Sequence, residues 1–225
     1  MARVEEVAPG VLRIAVMPFD AINVYHVGDL LIDSGVRASA GAILRAVADL
    51  PVRAHALTHA HPDHQGSSRR ICRQLGVPFW CGEGDREAAE TGDFTKLYPS
   101  PRSRFAALQA RLWGGPGHPV ARVLSEGDTF GGFQVLETPG HTPGHLSFWR
   151  EPDRVLILGD VIFGMNPFTL RTGVREPFAA FTPDPAENRR SARRLAALRP
   201  AVVCFGHGPP LRDPDAFAAF VSSLT

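Results

Sequence analysis

Three imidazoles and one carboxylate fall within six consecutive positions of this chain, at His59, His61, Asp63 and His64. Neutral imidazole and carboxylate are the ligand types that suit zinc and its first-row neighbours. In an extended loop His59 and His61 project to the same side, and the turn forced by Pro62 aims Asp63 and His64 at a second position. A single histidine would read as a solvated turn residue. Four ligand-type residues packed this tightly read as a metal site.

Val52 to Leu57, just before the cluster, predicts a short apolar strand. Ser67 to Leu75, just after it, has helical spacing, with Ile71, Cys72 and Leu75 on one face and Gly76 as a stop. The cluster therefore occupies a strand-to-helix loop at the carboxyl end of a strand, where open α/β sheets place their sites. His141, Asp160 and His207 each follow directly on a further predicted strand and lie beside glycine, which lets a side chain turn into a shared mouth. Asp33 ends the apolar run Leu30-Leu31-Ile32. A carboxylate there can support a metal site from behind the ligands; a turn-forming Asp before Ser34-Gly35 is the other reading.

Strand alternation also marks Val11 to Val16 and Asn23 to Val27, and Gly131-Gly132 between apolar runs predicts a hairpin. Helices are expected from Ala38 to Leu50, from Asp184-Pro185 to about Leu198, and after Asp213-Pro214. Between residues 83 and 120 the pattern loosens around Phe94, Tyr98 and Trp113, with a helix expected from Arg102 to Trp113. That stretch reads as a cap or lid, with a packed surface excursion as the alternative. Residues 164–181 read as a long irregular loop.

At 225 residues, 44% hydrophobic and 21% charged, the chain suits one domain spanning 1–225, with the cap at about 83–120 as an insertion. Strands followed by helices, twice over, predict an α+β fold: two mixed β-sheets face to face with helices on the outer faces, an αββα sandwich. A net charge of +1 gives no electrostatic case for nucleic acid or an anionic membrane. Three scattered cysteines suit a reducing compartment rather than a disulfide frame. With no secretory signal and no membrane-spanning run, a cytoplasmic location is expected.

Taken in order, Leu31-Ile32-Asp33-Ser34-Gly35, the histidine loop, Thr138-Pro139-Gly140-His141-Thr142-Pro143-Gly144-His145, Leu158-Gly159-Asp160 and Gly206-His207-Gly208 resemble the metallo-β-lactamase superfamily along nearly the whole chain. The resemblance implies that His59, His61 and His141 bind one metal ion, that Asp63, His64 and His207 bind a second, and that Asp160 bridges them. It places Asp33 and His145 outside the ligand shell, orienting the site. Two divalent metal ions are the implied cofactor, zinc first, with iron or manganese as alternatives. Two such ions about 3.5 Å apart hold a bridging water and lower its pKa towards neutrality, giving a hydroxide that attacks a carbonyl. Asp63 can orient that water or move its proton.

Within the superfamily, true β-lactamases usually carry serine or cysteine where Asp160 stands and are exported, which argues against antibiotic hydrolysis. Glyoxalase II is similar in its metal residues but adds a C-terminal helical domain for glutathione, and only one helix follows His207 here. The expected branch is glyoxalase II-like without that domain. Acyl-homoserine lactonases use a tyrosine shortly after the bridging aspartate, and residues 161–168 contain none. The reading is a hydrolase of thioesters, esters or lactones acting on a small cytoplasmic molecule, as a monomer or homodimer. An iron-dependent, persulfide dioxygenase-like redox enzyme and a phosphodiesterase on the same scaffold are the alternatives. Candidate pocket walls are Phe19, Trp113, Phe163, Met165, Phe168 and Phe178, and Arg171 or Arg175 could meet a substrate carboxylate.

Overall fold

The computed structural model describes residues 2–100 and 103–225. Seven strands lie in sequence order in one sheet: β1 (Arg3–Ala8), β2 (Val11–Ala15), β3 (Asn23–Val27), β4 (Leu30–Ile32), β5 (Ala54–Ala56), β6 (Phe79–Gly82) and β7 (Arg122–Leu124). β1 to β4 form an antiparallel meander, and β4 to β7 pair in parallel because helices return the chain between them. The second sheet contains β8 (Thr129–Phe130), β9 (Phe133–Glu137), β10 (Leu146–Arg150) and β11 (Val155–Gly159). After a two-stranded ribbon, β12 (Phe163–Met165) and β13 (Thr172–Arg175), β14 (Val202–Phe205) joins that sheet in parallel beside β11.

The pleat decides what faces what. Leu30 and Ile32 point into the space between the sheets, where they meet Phe133, Val135, Phe148 and Ile157, while Leu31 points outwards. On the outer face of the first sheet, α1 (Ala40–Ala46) sets Ala40 and Ile43 against Ile14, Val24 and Leu31. The loop after β5 passes through the single turn α2 (Pro62–Gln65) into α3 (Ser68–Leu75), which Gly76 ends at φ +66. α4 (Arg86–Thr91) and α5 (Arg104–Trp113) follow β6. α6 (Pro185–Ala197) and α7 (Pro214–Ser222) cover the second sheet with Ala192, Leu195, Phe217 and Val221. The layers are helix, sheet, sheet, helix, as the residue pattern implied.

Asp184 and Asp213 cap α6 and α7 with proline in the first turn, as their sequences require. Ser103 caps α5; Arg102, its expected first residue, lies outside the described part. β1, α4 and the ribbon β12–β13 have no counterpart in the sequence pattern. β1 has four exposed residues at a sheet edge and so carries no alternation. The ribbon β12–β13 lies inside the stretch expected to be irregular, with two short strands and a register shift masking any period.

Phe94, Leu97, Tyr98 and Ala106 of the 83–120 segment pack with Leu57, Ala60, Phe79 and Cys81 in a cluster of their own, so the base of that segment is core. Among the described residues no helix is long and apolar enough to cross a membrane.

Candidate metal centre

The seven expected ligand positions come from four loops, and their side chains converge. Asp160 Oδ2 lies 3.7 Å from His59 Nε2, 3.4 Å from His64 Nε2, 3.6 Å from His141 Nε2 and 3.1 Å from His207 Nε2. Asp63 Oδ2 is 3.4 Å from His207 Nε2. Three metal-compatible groups result: His59, His61 and His141; His59, His64 and Asp160; and Asp63, His64 and His207. All seven side chains are buried.

The outer nitrogens fix the tautomers. Thr58 gives its hydroxyl proton to Asp33, so its oxygen accepts from His59 Nδ1 at 3.0 Å. Thr182 gives its proton to the Phe178 carbonyl and accepts from His141 Nδ1 at 3.2 Å. His64 Nδ1 donates to Asp33 at 2.9 Å, His61 Nε2 to the Leu97 carbonyl at 3.3 Å, and His207 Nδ1 to the Ala21 carbonyl. Each of the five rings therefore turns its other nitrogen towards the centre, the arrangement in which outer partners orient metal-binding histidines.

Whether this donor set suits cations can be judged from the centre itself. His61 Nδ1 and His141 Nε2 face each other at 3.0 Å, and in these tautomers both present lone pairs. His59 Nε2, His64 Nε2 and Asp160 Oδ1 are buried with no hydrogen-bond partner. Such orphans cost about 1–3 kcal/mol each. Facing lone pairs and orphaned acceptors beside two carboxylates fit divalent cations and little else.

Electrostatics divide the centre. Burial pushes His59 and His141 well below the ordinary imidazole range and His61 to about 4, which leaves all three neutral and able to bind metal near pH 7. Burial also opposes charge on His64 and His207, but the carboxylates outweigh it. Asp160 and Asp33 hold His64 well above the usual range, and Asp160 with Asp63 lifts His207 to about 10. Burial alone would raise Asp63; His207 and His64 bring it down to about 2.

Asp33 accepts from the Thr58 N–H and hydroxyl as well as from His64, at a left-handed φ of 64. His145 Nε2 accepts from the Asp160 N–H at 3.1 Å, its burial keeping it neutral at about 3. Both lie directly behind the seven, where sequence reading put them. The far wall is tied across the molecule: Asn23 Nδ2 donates to the carbonyls of Phe205 and Gly208, and Tyr25 donates to that of Phe205.

Asp85 escaped the sequence reading. Buried after β6, it accepts from the Ala60 N–H, the Thr142 hydroxyl and the Gly144 N–H, each at 2.8 Å. One carboxylate thus joins the loop of His59 and His61 to that of His141. Burial raises its carboxyl to about 6 against the pull of those donors. The available signal was its position, since Asp33 and Asp160 also follow apolar strands. Asp85→Ala should cost about 3 kcal/mol by orphaning three buried donors, lowering the melting temperature by roughly 6–12 °C. An unchanged melting temperature would remove the carboxylate from this role.

Matching of the chain to family models finds the metallo-beta-lactamase superfamily over residues 17–207. The chain belongs to that superfamily. Probable metallo-hydrolase YflN of Bacillus subtilis is 30% identical over 217 residues, covering 87% of this chain and 80% of that protein. Hydroxyacylglutathione hydrolase GloC of Haemophilus influenzae is 32% identical over 121 residues, covering 51% of this chain and 52% of its own. Among solved structures, the di-iron-bound form of TTHA1623 superposes with a TM-score of 0.70 at 28% identity, covering 89% of this chain and 93% of that one. In this superfamily member the centre opens into a cavity lined by His61, Asp63, His141, Asp160 and His207 on one side. Ile22, Trp113, Phe163, Pro167, Phe168 and Phe181 line the other.

Trp113, Phe163 and Phe168 thus stand where the sequence reading put them; Arg171 and Arg175 do not. β12 carries Phe163 to the cavity, whereas Arg175 sits one strand farther out on β13 and Arg171 is exposed at the turn. Phe19 projects into solvent, and Met165 is buried outside the lining. Phe178 stacks behind Phe168, with ring centroids 5.2 Å apart.

Proposed function

We propose that this chain is a dinuclear metal-dependent hydrolase of thioester, ester or lactone carbonyls in small molecules. The observation that carries the reading is two ligand groups sharing the neighbourhood of Asp160 at the floor of a largely apolar cavity. The relatives support a metal-dependent hydrolase in general, and the hydroxyacylglutathione hydrolase among them favours acyl chemistry. His59, His61 and His141 would hold one ion; Asp63, His64 and His207 would hold the other; Asp160 would face both. Two divalent ions in such a site lower the pKa of water towards neutrality and polarise a carbonyl.

The chain's own residues do the rest. Asp63, ionised and on the cavity wall, offers a carboxylate oxygen that can take a proton from a water at the floor. Asp33 and His145 keep His64 and Asp160 in place. Phe163 packs edge-on against His207 with centroids 4.8 Å apart, excluding bulk water from that side. Zinc is the first expectation, and the di-iron neighbour keeps iron in view. A small-molecule substrate suits a net charge of +1, and three buried free cysteines suit the cytoplasm.

Purified without chelator, the protein should hold close to two metal ions per chain by elemental analysis. Chelation should abolish thioester or lactone hydrolysis, and restored metal should return it. A single iron per chain with oxygen consumption on a persulfide would replace this reading with the redox one, which leaves Asp63 and His207 without a cation to share.

A further inference from the structure

The wall facing the metal ligands has a uniform chemistry. It is made of Ile22, Trp113, Phe163, Pro167, Phe168 and Phe181, and no lysine or arginine among the described residues lines the cavity. Gln109 and the Trp113 indole are the uncharged polar side chains there that can hydrogen-bond, and Gln109 already accepts from the Tyr98 hydroxyl. A charged group placed against this wall would lose its water with no charged partner in exchange.

The apolar character continues outwards. Among the described residues, seven large apolar side chains are exposed, and six of them lie on the three segments that build the cavity. Met17 and Phe19 stand on the segment of Ile22, Leu108 and Leu112 on the helix of Gln109 and Trp113, and Phe168 and Leu170 on the ribbon of Phe163. Phe19 is 71% exposed and Phe168 57%. Phe19 and Leu170 are also held at a left-handed φ of 59, which costs energy in residues of this size. Of the six, Phe168 lines the cavity itself, whereas Met17, Phe19 and Leu170 border a second cleft together with Arg3, Asp20 and Arg45; an exposed apolar ring standing on the cavity wall marks a binding surface.

We infer that the acyl part of the substrate is an uncharged aliphatic chain that lies along this wall and leaves past the exposed Phe168. The inference rests on the hydrolase reading above and adds to it the class of acyl group. The carbonyl sits at the ligand side, the chain against the aromatics, and no recognition of a carboxylate-bearing acyl group is built in. On hydrolysis, the bond from the carbonyl carbon to sulfur or oxygen breaks, water supplies the new oxygen, and the leaving group takes up a proton.

The test uses metal-loaded protein of measured content with uncharged N-acetylcysteamine thioesters of acetyl, butanoyl, hexanoyl and dodecanoyl groups, and the succinyl thioester as the charged control. Each methylene buried should raise kcat/KM about three- to fourfold until the chain passes Phe168. The succinyl thioester should fall at least about tenfold below the butanoyl one. Phe168→Ser, at an exposed position, should cut the ratio of dodecanoyl to acetyl kcat/KM by roughly tenfold. Turnover that is flat or falling with chain length, or that prefers succinyl, would overturn the acyl assignment while leaving a hydrolase. Absence of turnover on every thioester, and on the matching ethyl esters and alkyl lactones, at full metal content would overturn the hydrolase reading, and this inference with it.

Discussion

Replacing Asp160 with alanine should lower turnover by at least about a hundredfold, the smaller end of what loss of a key electrostatic group costs, and release most of the metal. The expectation follows from convergence. Four imidazole nitrogens lie within 3.7 Å of a single oxygen, Asp160 Oδ2, and the other carboxylate oxygen is buried without a hydrogen bond. Without the carboxylate, two cations would lose a common ligand and the negative charge that offsets their repulsion. Elemental analysis beside kinetics decides the matter: normal turnover with full metal in Asp160→Ala would take Asp160 out of the site. Asp160→Asn is the useful companion, since it keeps the shape and removes the charge.

A subtler change should be nearly as damaging. Gly206 needs no unusual backbone angle, but a Cβ there would stand 2.1 Å from Asp160 Oδ1 and 2.7 Å from His64 Cε1. Neither neighbour is the loose end of a flexible chain, because both are held in the centre. One methyl group would therefore push apart two ligands, and Gly206→Ala should lose metal and about a hundredfold in rate while keeping a near-normal fold. Gly41→Ala in α1, where the nearest atom is an arginine tip at 3.6 Å, is the matched control and should be silent. If Gly206→Ala binds metal like the parent protein, the backbone there has room that the packing denies.

The centre was legible because its ligand types are rare, dense and placed at strand ends. His59, His61, Asp63 and His64 are local, and His141, Asp160 and His207 each share one positional rule. The sandwich was legible for a related reason: turns such as Gly131-Gly132, at φ 56 and 80, and caps such as Asp184 declare themselves within four residues. What stayed hidden depends on distance along the chain. Asp85 reaches Thr142 across 57 positions, and Thr182 reaches His141 across 41, so neither has a local signature. The role given to glycine was only half right. At Gly159, φ is +59 and the backbone demands it; at Gly206 the demand is for space. Arg171 and Arg175 lie outside the cavity lining, and the two-stranded ribbon that carries them is invisible to periodicity.

The ties from β3 to the last ligand loop also bear on the order of synthesis. The partners are far apart in the chain: Asn23 and Gly208 by 185 positions, Tyr25 and Phe205 by 180, Ala21 and His207 by 186. A growing chain thus displays His59 and His61 long before the clamp on His207 can close. A stalled or clipped polypeptide would lack His207 from the group of Asp63 and His64 even when most of the other ligand-type residues are present.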